Sequence, residues 1–212
     1  MELSSYIDYT NLNPDVHLEE IRKLCSEAIK HKLASVCVNS SFAAEAANFL
    51  KDTDVKVCCV VGFPLGACTT ETKVFEAKNA AKSGASEIDM VINISWLKDG
   101  FFDKVQNDIK SVVVAVRECI VKVIIETCLL DDDEKVKACE IAKEAGAHFV
   151  KTSTGFSKAG ATVKDVALMR ATVGNSMGVK AAGGIRDYDT AVAMIRAGAD
   201  RLGTSQLILN QK

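Results

Sequence analysis

The sequence predicts an α/β protein of the (β/α)8 type, a TIM barrel formed as a single compact domain over residues 1–212. Three observations carry that expectation. Eight short β-branched runs alternate with stretches of helical spacing, runs such as Val-Cys-Cys-Val-Val at 57–61 are apolar on both faces, and no G-x-G-x-x-G follows the first run. Such alternation gives a mostly parallel sheet covered by helices, either closed or open. A count of eight favours closure, and the missing glycine fingerprint argues against an open dinucleotide-binding sheet. A chain of 212 residues, 48% hydrophobic, can bury one sizeable core. Barrels usually run to about 250 residues, so short loops are expected.

The expected strands are 6–10, 35–38, 56–63, 87–92, 122–127, 148–153, 179–182 and 201–204. Between the first two, residues 18–30 put Leu18, Ile21, Leu24, Cys25 and Ala28 on one helical stripe. Thr69-Thr70-Glu71-Thr72 opens a later helix that Ser83-Gly84 closes. Asp131 to Glu134 place acids where a helix start favours them, and Gly146 ends that helix. Asp187 and Gly198 bracket the last one in the same way, and Pro14 and Pro64 fall in loops. No linker or low-complexity tract divides the chain.

Charge narrows the partners. With 26 basic and 28 acidic residues, both signs interspersed, the net charge of −2 gives neither a nucleic-acid footprint nor an attraction to anionic membranes. The opening Met1-Glu2-Leu3-Ser4-Ser5 lacks a signal-peptide pattern, and no apolar run reaches ~18 residues. The eight cysteines form no C-x-x-C pair and read as small buried hydrophobes, which makes cytoplasm the expected compartment.

A barrel places its site where strands end and loops begin, at the C-terminal face. Around those positions lie Asp8 and Thr10, Cys37 and Asn39, Gly62-Phe63-Pro64, Asp89, Lys122 and Glu126, Lys151 to Ser153, Lys180 and Ser205. A lysine inside an apolar strand is costly unless paired or neutral. Lys122, at the expected start of its strand, can also be read as an end residue whose ammonium snorkels to water. Asp89 can be a structural partner of one lysine. Lys151 and Lys180, on consecutive strands, suggest chemistry: a neighbouring cation and partial desolvation favour the free amine that attacks a carbonyl. The resulting iminium is an electron sink, and a carboxylate or second lysine then moves protons.

Gly155, Gly183-Gly184 and Gly203-Thr204-Ser205 follow the sixth to eighth strands, where barrels often cradle phosphate with exposed backbone N–H groups. His17, His31 and His148 show no metal-ligand spacing, so neither a metal nor another cofactor is expected. There is no G-x-S-x-G elbow or Walker loop, and Trp96 with Phe101-Phe102 reads as helix packing.

The motifs Val-Lys-Thr-Ser-Thr-Gly-Phe at 150–156 and Lys-Ala-Ala-Gly-Gly-Ile-Arg at 180–186, at this separation, resemble the deoxyribose-phosphate aldolase family of class I aldolases. So do residues 7–12, 36–39, 61–66, 86–93, 122–127, 159–162 and 202–205, covering nearly the whole chain. The resemblance implies cleavage of 2-deoxy-D-ribose 5-phosphate to D-glyceraldehyde 3-phosphate and acetaldehyde, reversibly. It assigns the Schiff base to Lys151, its tuning to Lys180 and the proton relay to Asp89. It puts Asp8, Thr10, Cys37, Lys122 and Thr152 around the substrate, with Gly155, Gly183, Gly184, Gly203 and Ser205 at the phosphate. A homodimer is plausible by the same likeness. Tyr9, Asn11, Cys128, Ala159 and a tail ending at Lys212 without tyrosine depart from the common pattern. Two other readings remain: a phosphosugar isomerase or epimerase, and a non-catalytic phosphosugar-binding barrel.

Overall fold

The computed structural model describes residues 1–209. Its centre is a closed barrel of eight parallel strands in chain order: β1 (Ile7–Asn11), β2 (Ser35–Val38), β3 (Lys56–Val61), β4 (Glu87–Val91), β5 (Ile120–Ile124), β6 (Phe149–Lys151), β7 (Gly178–Ala182) and β8 (Arg201–Thr204), with β8 pairing back onto β1. The connections carry α1 (Leu18–Lys30), α2 (Ala43–Phe49), α3 (Thr70–Lys82), α4 (Ile94–Lys98), α5 (Phe102–Ala115), α6 (Asp132–Glu144), α7 (Val163–Val173) and α8 (Tyr188–Arg196).

The period of two along each strand sorts the chemistry. Outward positions such as Ile7, Val36, Val57, Cys59, Ile88, Met90, Val121, Val150, Val179 and Leu202 join the helices in one continuous apolar core. The alternate positions hold Asp8, Cys37, Cys58, Asp89, Lys122, Lys151 and Lys180, all buried. Apolar burial outside the strands therefore stabilises the barrel, at about 25 cal/mol per Å², while its interior is left for polar groups.

The caps lie where the sequence puts them. Asp131 accepts from the Glu134 N–H at 2.8 Å while Glu134 accepts from the Asp131 N–H at 2.9 Å, a reciprocal capping box. Asp187 accepts from the Thr190 N–H at 2.8 Å. Leu18, the first residue of α1, departs from its expected stripe and is exposed, whereas Ile21, Leu24, Cys25 and Ala28 are buried. Strands β3 to β6 all stop earlier than their apolar runs. Gly62 (φ 62°) and Glu126 (φ 55°) take left-handed conformations that end the pleat, although Ile125 and Thr152 remain buried. Glu126 is thus a loop residue. Lys122 lies at the middle of β5, fully buried, and does not snorkel.

An ion pair outside the barrel steadies one active-end loop. Lys73 of α3 meets Asp108 of α5 at 2.5 Å with both side chains fully buried, and Thr70 donates to the same carboxylate at 2.8 Å. The Lys73 stem packs so closely on Gly62 that a Cβ there would lie 3.0 Å from Lys73 Cε. One turn on, Glu76 accepts from the Gly62 N–H at 2.8 Å and from the Ser40 hydroxyl at 3.0 Å. Removing one partner of a buried pair typically costs ~3–5 kcal/mol. Asp108→Asn should therefore lower the unfolding midpoint by about 10 °C, read by calorimetry. An unchanged midpoint would show that Lys73 needs no counter-charge there.

Candidate active site

The site is built by register. Asp89 is the Cα partner of Lys122 across β4 and β5, Lys151 of Lys180 across β6 and β7, and Lys180 of Arg201 across β7 and β8. Lys151 pairs with Ile124 rather than Lys122, so the two lysines occupy different levels of the barrel. At the centre, Lys151 Nζ and Lys180 Nζ both donate to one oxygen, Asp89 Oδ2, at 2.7 and 2.8 Å. The other oxygen, Oδ1, accepts from Lys122 Nζ at 2.8 Å and from the Cys58 thiol at 3.1 Å. Asp8 Oδ2 stands 2.5 Å from Lys180 Nζ, and Lys122 Nζ stands 2.6 Å from Glu87. Arg201 bridges the remaining acids, its Nε donating to Asp8 Oδ1 at 2.8 Å and its Nη2 to Glu87 at 2.9 Å.

Electrostatics fixes which groups stay charged. Burial alone would raise the Asp89 carboxyl, but Lys122, Lys151 and Lys180 outweigh it and hold the group well below the usual carboxylate range. Asp8 is held low in the same way, burial being outweighed first by Lys180, then Lys122 and Arg201. Burial would lower Lys180, yet Asp8 and Asp89 push it above the ordinary lysine value. Lys122 is also raised, with Asp89 the largest force opposing its burial. The Cys37 thiol is lowered, with the neighbouring Cys58 thiol the chief cause.

A cavity of about 710 Å³ opens above this network at the C-terminal ends of the strands. Of the three lysines that meet Asp89, only Lys151 lines it; Lys180, Lys122, Asp89, Asp8 and Cys37 lie beneath, fully buried, and Lys23 of α1 stands on the cavity wall. Thr10, Gly155, Gly183, Gly184, Gly203 and Ser205 form its wall. Thr152 faces away, its hydroxyl accepting from the Ala182 N–H at 3.0 Å and donating to the Ala182 carbonyl at 3.1 Å, which ties the ends of β6 and β7 together. Two glycines are demanded by space. A Cβ on Gly160 would fall 2.1 Å from the Gly183 carbonyl oxygen, and one on Gly203 would fall 2.9 Å from Ala182 Cβ and 3.2 Å from Lys180 Cε. The first lets two loops touch, and the second leaves room for the lysine stem.

The geometry is that of an amine-bearing cavity over a carboxylate, and the comparisons agree with it. The sequence profile of the family described as DeoC/LacD family aldolase matches residues 3–207. The chain belongs to the DeoC/LacD aldolase family. It is 60% identical over 208 residues to the deoxyribose-phosphate aldolase of Caldanaerobacter subterraneus subsp. tengcongensis, covering 97% of this chain and 90% of that one. A deoxyribose-phosphate aldolase of Clostridium tetani is 58% identical, covering 97% of this chain and 95% of the relative. The structure superposes with a TM-score of 0.90 on the tetrameric deoxyribose phosphate aldolase of Aeropyrum pernix, at 34% identity, covering 96% and 86% of the two chains.

In this DeoC/LacD aldolase several site residues escape the sequence reading. Glu87 and Arg201 belong to the charged network, and Glu87 was legible in principle, since it precedes Asp89 by two and so shares its face. Glu126 accepts from the Thr154 N–H at 3.3 Å and from its hydroxyl, clamping the loop after β6. Nothing in the local pattern announces that pair. Cys128 is half-buried, 3.3 Å from the Ser157 hydroxyl, and does not line the cavity. Tyr9 does line it, donating to Glu27 at 2.8 Å, and burial followed by that acceptor pushes its hydroxyl up to about 12. The tail at Lys212 lies outside the described residues.

Cys37, Cys58 and Asp89 bring one potential ligand atom each within 4.8 Å of one another, a cluster that histidine spacing could not reveal. The donors do not suit a divalent ion. Asp89 already accepts hydrogen bonds from three lysine nitrogens, and Lys122 Nζ stands 3.2 Å from Cys58 Sγ. A metal would meet the positive charges of Lys122 and Lys180 at contact distance.

The shifts have a sign. Asp8 and Asp89, held low, contribute stability above the unfolded carboxylate pKa of ~3.9 that is lost as pH falls through their lowered values. Lys122 and Lys180, held high, contribute below ~10.4 and lose it as pH rises further. Urea unfolding should thus give a plateau from about pH 5 to 9 and a fall below about pH 4. The acid slope should flatten in Asp89→Asn, whereas an unchanged slope would place the acid sensitivity elsewhere.

Proposed function

We propose that this chain cleaves 2-deoxy-D-ribose 5-phosphate to D-glyceraldehyde 3-phosphate and acetaldehyde, reversibly, through a Schiff base on Lys151. One observation carries the reading: two lysines share Asp89 Oδ2, and only Lys151 reaches the cavity. The names of the relatives at 58–60% identity support the substrate. A single barrel domain over residues 1–212 carries the activity in this proposal. The free cysteines, six of them buried, suit a cytoplasmic setting, and a homodimer is the assembly proposed.

The chemistry follows from the positions. The Lys151 amine adds to the aldehyde carbon C1, and loss of water gives the iminium. Removal of the C3 hydroxyl proton lets the C2–C3 bond break; its electrons flow to the iminium nitrogen, leaving an enamine and releasing D-glyceraldehyde 3-phosphate. Protonation at C2 and hydrolysis then free acetaldehyde and the lysine. Asp89 Oδ2, touching both amines, is the shortest path for a proton between Lys151 and Lys180. The phosphate would lie against the N–H groups of Gly155, Gly183, Gly184 and Ser205, with Arg186 on the same wall.

Borohydride added with substrate should fix a two-carbon fragment on Lys151, located by peptide mass mapping. A fragment on Lys122 or Lys180, or none, would overturn the assignment. Activity should persist after exhaustive chelation, since the iminium serves as electron sink; loss with rescue by zinc would refute the reading. Lys180→Leu should reduce turnover at neutral pH by at least ~100-fold and move the acidic limb of the pH–rate profile upward. An effect on KM alone would make Lys180 a binding residue.

A further inference from the structure

The barrel interior contains more charge than the reaction at Lys151 uses. Three carboxylates face inward: Asp8 on β1, and Glu87 and Asp89 on β4. Four cations oppose them, Lys122, Lys151, Lys180 and Arg201, one from each of β5 to β8. β2 and β3 bring no buried charge to it, only the Ser35 hydroxyl and the thiols of Cys37 and Cys58. The nearby Glu126 carboxylate is engaged by Thr154. With every amine protonated, the interior holds four positive charges against three negative. With Lys151 as a free amine, it balances.

We propose that Arg201 and Glu87 are positioning residues that set the net charge of this network and thereby keep Lys151 unprotonated in the resting enzyme. The inference rests on the Schiff-base reading and deepens it. Neither residue lines the cavity. They act through others, Arg201 through Asp8 to Lys180, and Glu87 through Lys122 to Asp89. In a closed interior an uncompensated charge is costly, so the proton most cheaply given up is the one that exceeds the balance. Lys151 is the lysine that gives it up: among the described residues it has a single carboxylate partner within ion-pair distance, whereas Lys180 has two and Lys122 three.

The two residues therefore push in opposite directions. Arg201→Met removes one positive charge, so the network balances with Lys151 as an ammonium. Glu87→Gln removes one negative charge, so the amine is favoured still more. The test is the pH dependence of kcat/KM and of borohydride trapping for both variants and their combination. The acidic limb should rise by about one pH unit in Arg201→Met, about a 10-fold loss on that limb. It should fall by a similar amount in Glu87→Gln and return toward wild type in the double variant. Arg201→Lys, which keeps the charge, should leave the limb in place, and so should Cys37→Ala.

Limbs that stay fixed while both variants lose activity would show purely structural roles and overturn the proposal. A limb that moves as far in Arg201→Lys as in Arg201→Met would assign the effect to geometry, and a limb displaced by Cys37→Ala would assign the counter-charge to a thiolate. Should Arg201→Met fail to fold, the downward shift in Glu87→Gln decides alone. Wild-type enzyme that gives no adduct on Lys151 rejects the Schiff-base reading and this inference together. An adduct in wild type with immobile limbs rejects only the inference.

Discussion

Asp89 receives hydrogen bonds from three lysines on three consecutive strands, and the remaining geometry of the site is arranged around that carboxylate. A lone ammonium in the middle of a sheet would be expelled or neutralised. Here each lysine is tolerated because an acid on another strand faces it across a short gap. The arrangement also explains why Asp89 is a poor free base in the resting protein: its charge is already committed to the lysines. Its Oδ2 touches two lysine nitrogens at once, so the proposed reaction can pass a proton from one to the other through it.

Such an interior is affordable because the stabilising work is done elsewhere. Apolar positions alternate with the inward-facing ones along the strands and pack outward against the helices. A closed sheet has no unpaired edges, so its backbone polar groups are satisfied while the side chains inside are free to be ionic. Accordingly, the interior is the part of the molecule selected for chemistry. Loop anchors such as Lys73 with Asp108 and Glu126 with Thr154 transmit that rigidity to the rim of the cavity.

Much of this was legible from local pattern. The order of strands and helices, the caps at Asp131 and Asp187 and the glycine loops after β6, β7 and β8 all follow from short-range rules that a linear sequence obeys. Lys151, Lys180 and Asp89 stood out because ionisable groups interrupt apolar runs. The likeness to an aldolase family then added a substrate, which pattern alone does not supply.

Other features depended on closure of the barrel. Arg201 and Asp8 are 193 residues apart in the chain, and they meet only because β8 pairs with β1. Strand register set Lys122 one level below Lys151, making one a buried ion-pair member and leaving the other at the cavity floor. The early ends of β4 to β6 were likewise invisible, since the residues beyond them, such as Ile92, Ile125 and Thr152, stay buried in loops and keep strand-like composition. Sequence by itself determined the alternation, the residue types and the fold class, because propensity, periodicity and capping act over a few residues. Which charges touch, and which amine faces the cavity, was decided by tertiary structure, because Coulombic contact and burial depend on distances that only the closed sheet defines.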